Sequence, residues 1–189
     1  MKFPIHTAKT VAPPANAQLQ AVQESLGFVP NLFGVIAESA PALQAFMALN
    51  NEFSQSSLTA LEREIVQVVA SVENDCAYCV AGHTAFANLQ ELPADPIEAA
   101  RGGYPLADPK LAALQRFTIA AVKNRGHVDP MDLLAFKDAG YGPAQVLEVV
   151  LGVCVKFFSN LTNNIVGIPL DEEFESFAWL KAVENSSSR

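Results

Sequence analysis

Three Asp-Pro pairs, Asp95-Pro96, Asp108-Pro109 and Asp129-Pro130, divide the second half of this chain into short runs. An aspartate that accepts from free backbone N–H groups, followed by a proline with no N–H to lose, marks a helix start. Glycines fall where such helices should stop, at Gly27, Gly102, Gly126 and Gly140, because a left-handed C-cap costs glycine little. Between these marks apolar residues recur at helical spacing. Leu43, Phe46, Met47 and Phe53 do so after Pro41, and Leu111, Leu114, Phe117 and Ala121 after Pro109. Alternating β-branched runs are few. The expected fold class is all-α.

With 189 residues, half of them apolar, the chain can bury a core of its own as one multi-helix domain. Residues 1–26 read as a proline-rich N-terminal arm with a short helix near Ala17 to Leu26. Residues 27–189 read as the helical domain with a C-terminal extension. A net charge of -8 argues against partners that are nucleic acids or anionic membranes. The most apolar run, "VLEVVLGVCVKFF", is interrupted by Glu148 and Lys156, which suits a buried helix rather than a membrane span. The N-terminus lacks the apolar centre of a signal peptide. Three cysteines do not make a secreted disulfide framework, so the expected compartment is cytoplasmic.

Chemistry concentrates in "ENDCAYCVAGH", Glu73 to His83. "TALE", Thr59 to Glu62, is a capping box that opens a helix of about 13 residues ahead of it. Its apolar face is Leu61, Ile65, Val68, Val69 and Val72. The cap accounts for Glu62 and Arg63 points away, so Glu64, at the border of the apolar stripe, is the carboxylate expected to be partly buried. After the "END" break, Asp75 is positioned to cap a second helix near Cys76. On it Cys76, Cys79 and His83 lie at about 0°, 300° and 340°, on one stripe with Val80 and Ala87, with Tyr78 on the opposite side.

A thiolate is the reactive form of cysteine, and the first turn of a helix favours it. His83 is one turn beyond Cys79, within reach of its proton, and Glu64 is the carboxylate to orient the imidazole. A neighbouring thiol can trap a sulfenic acid as a disulfide. The rival reading as structural zinc needs four protein ligands, whereas Cys76, Cys79 and His83 supply three. Neither metal nor cofactor is expected. Cys154 reads as an inert core residue, His6 and His127 as solvated. Tyr78 reads as core packing or as a site-lining residue, and Trp179 as packing.

Glu64-x11-Cys76-x2-Cys79-x3-His83 resembles the active-site signature of the alkylhydroperoxidase D-like proteins in the carboxymuconolactone decarboxylase superfamily. So do "GFVPNLFGVIAESAPALQAF" and "EREIVQVVAS" before it, and "AGYGPAQVLEVVLGVCVKFFSNLTNN" after it. The resemblance runs from about Gly27 to Asn164 and is closest to the peroxidase-related branch. It implies an all-helical fold that forms homo-oligomers, as dimers, trimers or hexamers. It also implies a peroxidase in which Cys79 attacks a hydroperoxide and Cys76 resolves the sulfenic acid. His83 and Glu64 would then form the proton relay. The best-studied branch has a histidine where this chain has Tyr78, and its electron donor is a lipoylated protein. The reductant expected here is a thiol or lipoyl-type donor.

An internal echo suggests a duplicated helix pair. Glu148 precedes Asn160 by the interval that separates Glu64 from Cys76, "NLTN" takes the register of "CAYC", and Gly167 that of His83. The second copy would lend packing and polar groups to the first copy's site. The leading functional expectation is a thiol-dependent hydroperoxidase. Two alternatives remain: a thiol-independent decarboxylase acting on small lactone acids, and a non-enzymatic oligomer that responds to redox state.

Overall fold

The computed structural model describes residues 1–181; residues 182–189, the end of the expected C-terminal extension, lie outside the described residues. The chain is a single all-helical domain. Its α-helices are α1 Ala15–Leu26, α2 Asn31–Ile36, α3 Ala40–Ser54, α4 Ala60–Glu73, α5 Ala77–Leu89, α6 Ala94–Arg101, α7 Pro109–Lys123, α8 Pro130–Asp138 and α9 Pro143–Val166, followed by a 3-10 turn, Glu172–Phe177.

Helix α4 forms the axis of the domain and packs against α5, α6, α7 and α9. It is opened by the expected capping box, in which the Thr59 hydroxyl accepts from Glu62 N and the Glu62 carboxylate accepts from Thr59 N. Ile65, Val66, Val68, Val69 and Ala70 are all buried, as are Gln67 and Ser71. Burial therefore runs round most of the helix rather than along one stripe, as expected of a helix enclosed by neighbours.

Asp108 and Asp129 cap α7 and α8 with a proline in the first turn, as expected. Asp95 does not cap. Helix α6 starts two residues earlier than that cap would set, at Ala94, with Asp95 inside its first turn, where a carboxylate still meets the positive helix end. Gly27 closes α1 in the left-handed conformation, φ 84°. The α1 helix is no loose appendage, since Ala15, Leu19 and Val22 are buried. The arm before it is pinned by His6, whose N–H reaches Gly34 O and whose Nε2 lies 2.6 Å from Glu38. The expectation of a solvated His6 is thereby corrected.

The expected break between Glu148 and Asn160 does not exist. Both lie on α9, one continuous helix of 24 residues, so the duplicated helix pair is not present. Glu148 instead accepts from Ser57 N and Oγ and ties α9 to the α3–α4 connection. Helix α9 is long and apolar enough to pass for a membrane span by composition alone. Its Lys156, Ser159, Asn160 and Asn163 are buried among the other helices, which is the packing of a core helix. Cys154 is exposed, not core: it stands on the opposite side of α9 from that buried polar face.

Gly152 sets how closely α9 approaches. A Cβ there would lie 2.6 Å from a Phe53 ring carbon and 2.9 Å from Val66 Cγ1. With hydrogen in its place, α9 packs against α3 and α4, and the next turn carries Lys156 to His83 of α5.

Candidate active site

Cys76 itself is the N-cap of α5, with no side-chain cap bond. Asp75 adopts φ 53° and its carboxylate bonds Lys181. The expected Asp75 cap is therefore absent, because the tight turn from α4 spends that residue on a left-handed conformation. The turn is held by Cys76 N donating to Ser71 O at 2.9 Å. Helix α5 then points Cys79 and His83 at the same cavity, of about 380 Å³. Its polar lining is Glu64, Cys79, His83, Lys156 and Asn50, among others, and Leu32, Phe33, Phe46, Phe86 and Phe174 are among its apolar lining.

Four side chains form a chain of hydrogen bonds. Gln90 Nε2 donates to Glu64 Oε1 at 2.9 Å, Glu64 Oε2 lies 2.8 Å from His83 Nδ1, and His83 Nε2 lies 2.6 Å from Lys156 Nζ. A lysine ammonium only donates, so Nε2 is the acceptor and Nδ1 carries the proton given to Glu64. His83 is thus neutral, with one defined tautomer. The partner of Nε2 is Lys156 rather than Cys79, contrary to the direct Cys79–His83 contact expected from helical spacing.

The electrostatics follow from burial and these contacts. Burial raises the Glu64 carboxyl, but His83, Gln90 and Lys156 outweigh it and hold it below the usual carboxylate range. Burial, then the Lys156 charge, pushes His83 down against the opposing pull of Glu64. Burial likewise lowers Lys156, countered by the charges of Cys79, Cys76 and Glu64.

Both thiols are reduced and buried, and their environments push them apart. Burial opposes ionisation of Cys79, yet the Cys76 thiol, the Lys156 charge, Asn160 and Ser159 lower it well below an ordinary thiol. Cys76 is pushed up, first by its hydrogen bond to Cys79 and then by burial. Behind them the Ser159 hydroxyl lies 3.9 Å from Cys79 Sγ. Asn160 is held by Asn74, which donates to its Oδ1 at 2.9 Å, and donates to Ser71 at 3.3 Å.

Tyr78 is buried and lines the cavity beside Cys79, rather than facing away from the thiol stripe. Its hydroxyl donates to Asp171 and accepts from Leu32 N at 3.2 Å. Asp171 also accepts from Asn31 N at 2.8 Å. These bonds fasten α2 and the 3-10 turn to α5, so that Phe174 packs edge-on to Tyr78 and Phe86 at 5.9 and 5.5 Å.

Glu64, Cys76, Cys79 and His83, the four residues singled out from sequence, thus converge. Lys156, Ser159, Asn160, Tyr78 and Asp171 complete the surroundings; the sequence points to Tyr78 as a lining residue and to Asn160 through the internal echo, but not to Lys156, Ser159 or Asp171. The signal for Lys156 was a lone cation in an apolar run. His127 is exposed, and Trp179 Nε1 donates to Arg101 O at 2.8 Å. Among the described residues no group of three His, Cys, Asp or Glu side chains is arranged to hold a metal ion.

An all-helical domain with a Cys-x2-Cys pair at a helix start, backed by a Glu–His pair from the two helices, is the alkylhydroperoxidase D-like architecture. The profile of the carboxymuconolactone decarboxylase family matches residues 40–120. The alkylhydroperoxidase AhpD core of an uncharacterized peroxidase-related protein from Ralstonia eutropha JMP134 is 25% identical, with a TM-score of 0.82 over 92% of this chain and 93% of that one. An uncharacterized peroxidase-related protein from Silicibacter sp. TM1040 is 24% identical, with a TM-score of 0.73 over 86% and 90%. The debrominase Bmp8, solved in complex with 2,3,4-tribromopyrrole, shares the fold at 15% identity, with a TM-score of 0.78 over 94% and 95%. No curated protein matches the chain in sequence. Residues 40–120 thus match the carboxymuconolactone decarboxylase family, and over nearly the whole chain the fold is that of the alkylhydroperoxidase D-like, peroxidase-related proteins. That likeness supports enzymatic activity in general; a debrominase on the same fold means that the fold alone does not select the reaction.

Proposed function

We propose that this protein is a thiol-dependent peroxidase that reduces hydroperoxides through a Cys76–Cys79 dithiol and disulfide cycle. The observation that carries the reading is the placement of Cys79. It lies on the cavity wall with its thiol lowered, while Cys76 beside it keeps its proton. Cys79 attacks the outer oxygen of the hydroperoxide and becomes a sulfenic acid, releasing an alcohol. Cys76 then condenses with it to a disulfide, releasing water. The hydrogen-bonded series of Glu64, His83 and Lys156 sets where the site's protons are held, and a dithiol or lipoyl-type reductant reopens the bond. The apolar walls favour an organic hydroperoxide. Mixing reduced protein with one equivalent of cumene hydroperoxide should remove two hydrogens and leave a bond that maps to Cys76–Cys79. Thiols that stay reduced would refute the reading.

A second reading is favoured by the phenylalanines around the cavity, Phe33, Phe46, Phe86 and Phe174, which suit a flat halogenated ring. The same two thiols would replace carbon–bromine by carbon–hydrogen, giving a disulfide and hydrogen bromide. Bromide release from 2,3,4-tribromopyrrole with no oxidation by hydroperoxides would select it.

Self-association is part of the proposal. Supporting it, Leu147, Val150, Leu161 and Ile165 of α9 are exposed, with Cys154 between them. Light scattering at micromolar concentration should report more than a monomer, and a monomer removes this part.

A further inference from the structure

Lys156 is the least expected charge in the molecule. It is 3% exposed, on a helix whose neighbouring residues are mostly apolar. Burying an ammonium group is expensive unless hydrogen bonds and opposing charge compensate for it. Its hydrogen bond, at 2.6 Å, goes to His83 Nε2, a neutral acceptor by the tautomer argument above. The charges that face it are Glu64 from α4 and the thiols Cys76 and Cys79 at the start of α5. It lines the same cavity as Cys79, and its charge acts on that thiol. A lysine serving packing alone would send its head to solvent. This one ends in the cavity.

We propose that Lys156 is a catalytic residue of this site: its ammonium group holds Cys79 as the thiolate and then protonates the oxygen that leaves when the peroxide bond breaks. The proposal rests on the peroxidase reading. The Cys79 sulfur forms a bond to the outer oxygen, the O–O bond breaks, and its electron pair goes to the inner oxygen. Lys156 supplies the proton that turns this alkoxide into the alcohol. Thiolate and ammonium are both consumed, leaving sulfenic acid and neutral amine, so the step separates no charge in a buried site. Cys76 then attacks the sulfenic sulfur, its proton leaves with the hydroxyl as water, and the amine regains a proton from solvent. Glu64 and His83 are positioning residues in this scheme: the fixed tautomer leaves Nε2 free to accept and so aims Nζ into the cavity.

An alkoxide is a poor leaving group and a carboxylate a good one, so a proton donor matters for an alkyl hydroperoxide and little for a peracid. The test compares oxidation of Cys79 by tert-butyl hydroperoxide and by peracetic acid, in the wild type, Lys156→Met and Lys156→Arg. Loss of thiolate slows both oxidants equally. Loss of the proton donor should slow tert-butyl hydroperoxide by about 100-fold more than peracetic acid, within the range of general acid catalysis. Lys156→Arg should recover part of the thiolate, seen as faster alkylation than in Lys156→Met. Equal losses with the two oxidants, or unchanged rates, overturn the proposal.

The wild type alone supplies a second test if Lys156→Met does not fold. Its rate with tert-butyl hydroperoxide should rise with pH as Cys79 ionises, then fall as Lys156 loses its proton below the ordinary lysine range. A rate that stays level on the alkaline side overturns the proposal. Wild-type thiols that ignore both oxidants refute the peroxidase reading itself, whereas a reactive wild type with an unaffected variant refutes the role of Lys156 alone.

Discussion

Lys156 Nζ and His83 Nε2 lie 2.6 Å apart, and this contact fixes the protonation of the imidazole. It makes the imidazole an acceptor, fixes the proton on Nδ1 toward Glu64, and puts a cation rather than a general base beside the thiols. The two cysteines differ because of what surrounds each: Cys79 meets the Lys156 charge and the polar groups of α9, and Cys76 meets Cys79.

Replacing each thiol should separate their roles. Cys79→Ser is expected to abolish oxidation by hydroperoxide while the helical circular dichroism is kept. Cys76→Ser should leave Cys79 without a partner, so that excess peroxide adds two or three oxygens to the intact mass. The reverse pattern would exchange attacking and resolving roles.

Glu64→Gln tests the far end of the hydrogen-bond chain. The glutamine oxygen can still accept from His83 Nδ1, so the tautomer should survive. What disappears is a negative charge that helps keep Lys156 protonated. The alkaline fall in oxidation rate should therefore move to lower pH than in the wild type. A fall at unchanged or higher pH would mean that Glu64 does not act on Lys156.

Glu62 gives a pH dependence unconnected with the thiols. Burial raises its carboxyl, but bonds from Lys110, Thr59 and Tyr141 outweigh this and bring it from 4.5 to about 2. The folded pKa lies below the unfolded one, so this contribution to stability is complete above about pH 4.5 and is lost as pH falls toward 2. Melting temperature should drop across that window, and the drop should be smaller in Glu62→Gln. Equal drops in the two proteins would assign the acid lability to other groups.

The features readable in sequence are those set by neighbours along the chain. Thr59 with Glu62, Asp108 with Pro109, and the stripe of Cys79 and His83 each lie within two helical turns, where periodicity and capping rules apply. The Glu64–His83 pair spans 19 residues and was reachable because two adjacent helices must pack. Lys156 lies 73 residues from His83, and Asp171 lies 93 from Tyr78. No local pattern links such pairs; only the close packing of α9 and the 3-10 turn on α5 does so. Cys154 was misread for a related reason: an apolar neighbourhood in sequence does not say which face of a helix meets the core.

Gly152 ties stability to the site and so offers a final test. Its missing Cβ would meet the Phe53 ring at 2.6 and 2.7 Å and Val66 at 2.9 Å, distances that force backbone or ring to move. Overpacking of this kind costs about 1–3 kcal/mol, so Gly152→Ala should lower the melting temperature by roughly 3–10 °C. Because Lys156 is one turn further along the same rigid helix, any outward shift of α9 also withdraws its charge from Cys79. Alkylation of Cys79 near neutral pH should therefore slow in the folded variant, well below its melting point. A variant that melts early yet alkylates at the wild-type rate would mean that the seating of α9 at Gly152 governs packing only, and that Lys156 is held in place by its own contacts with α5.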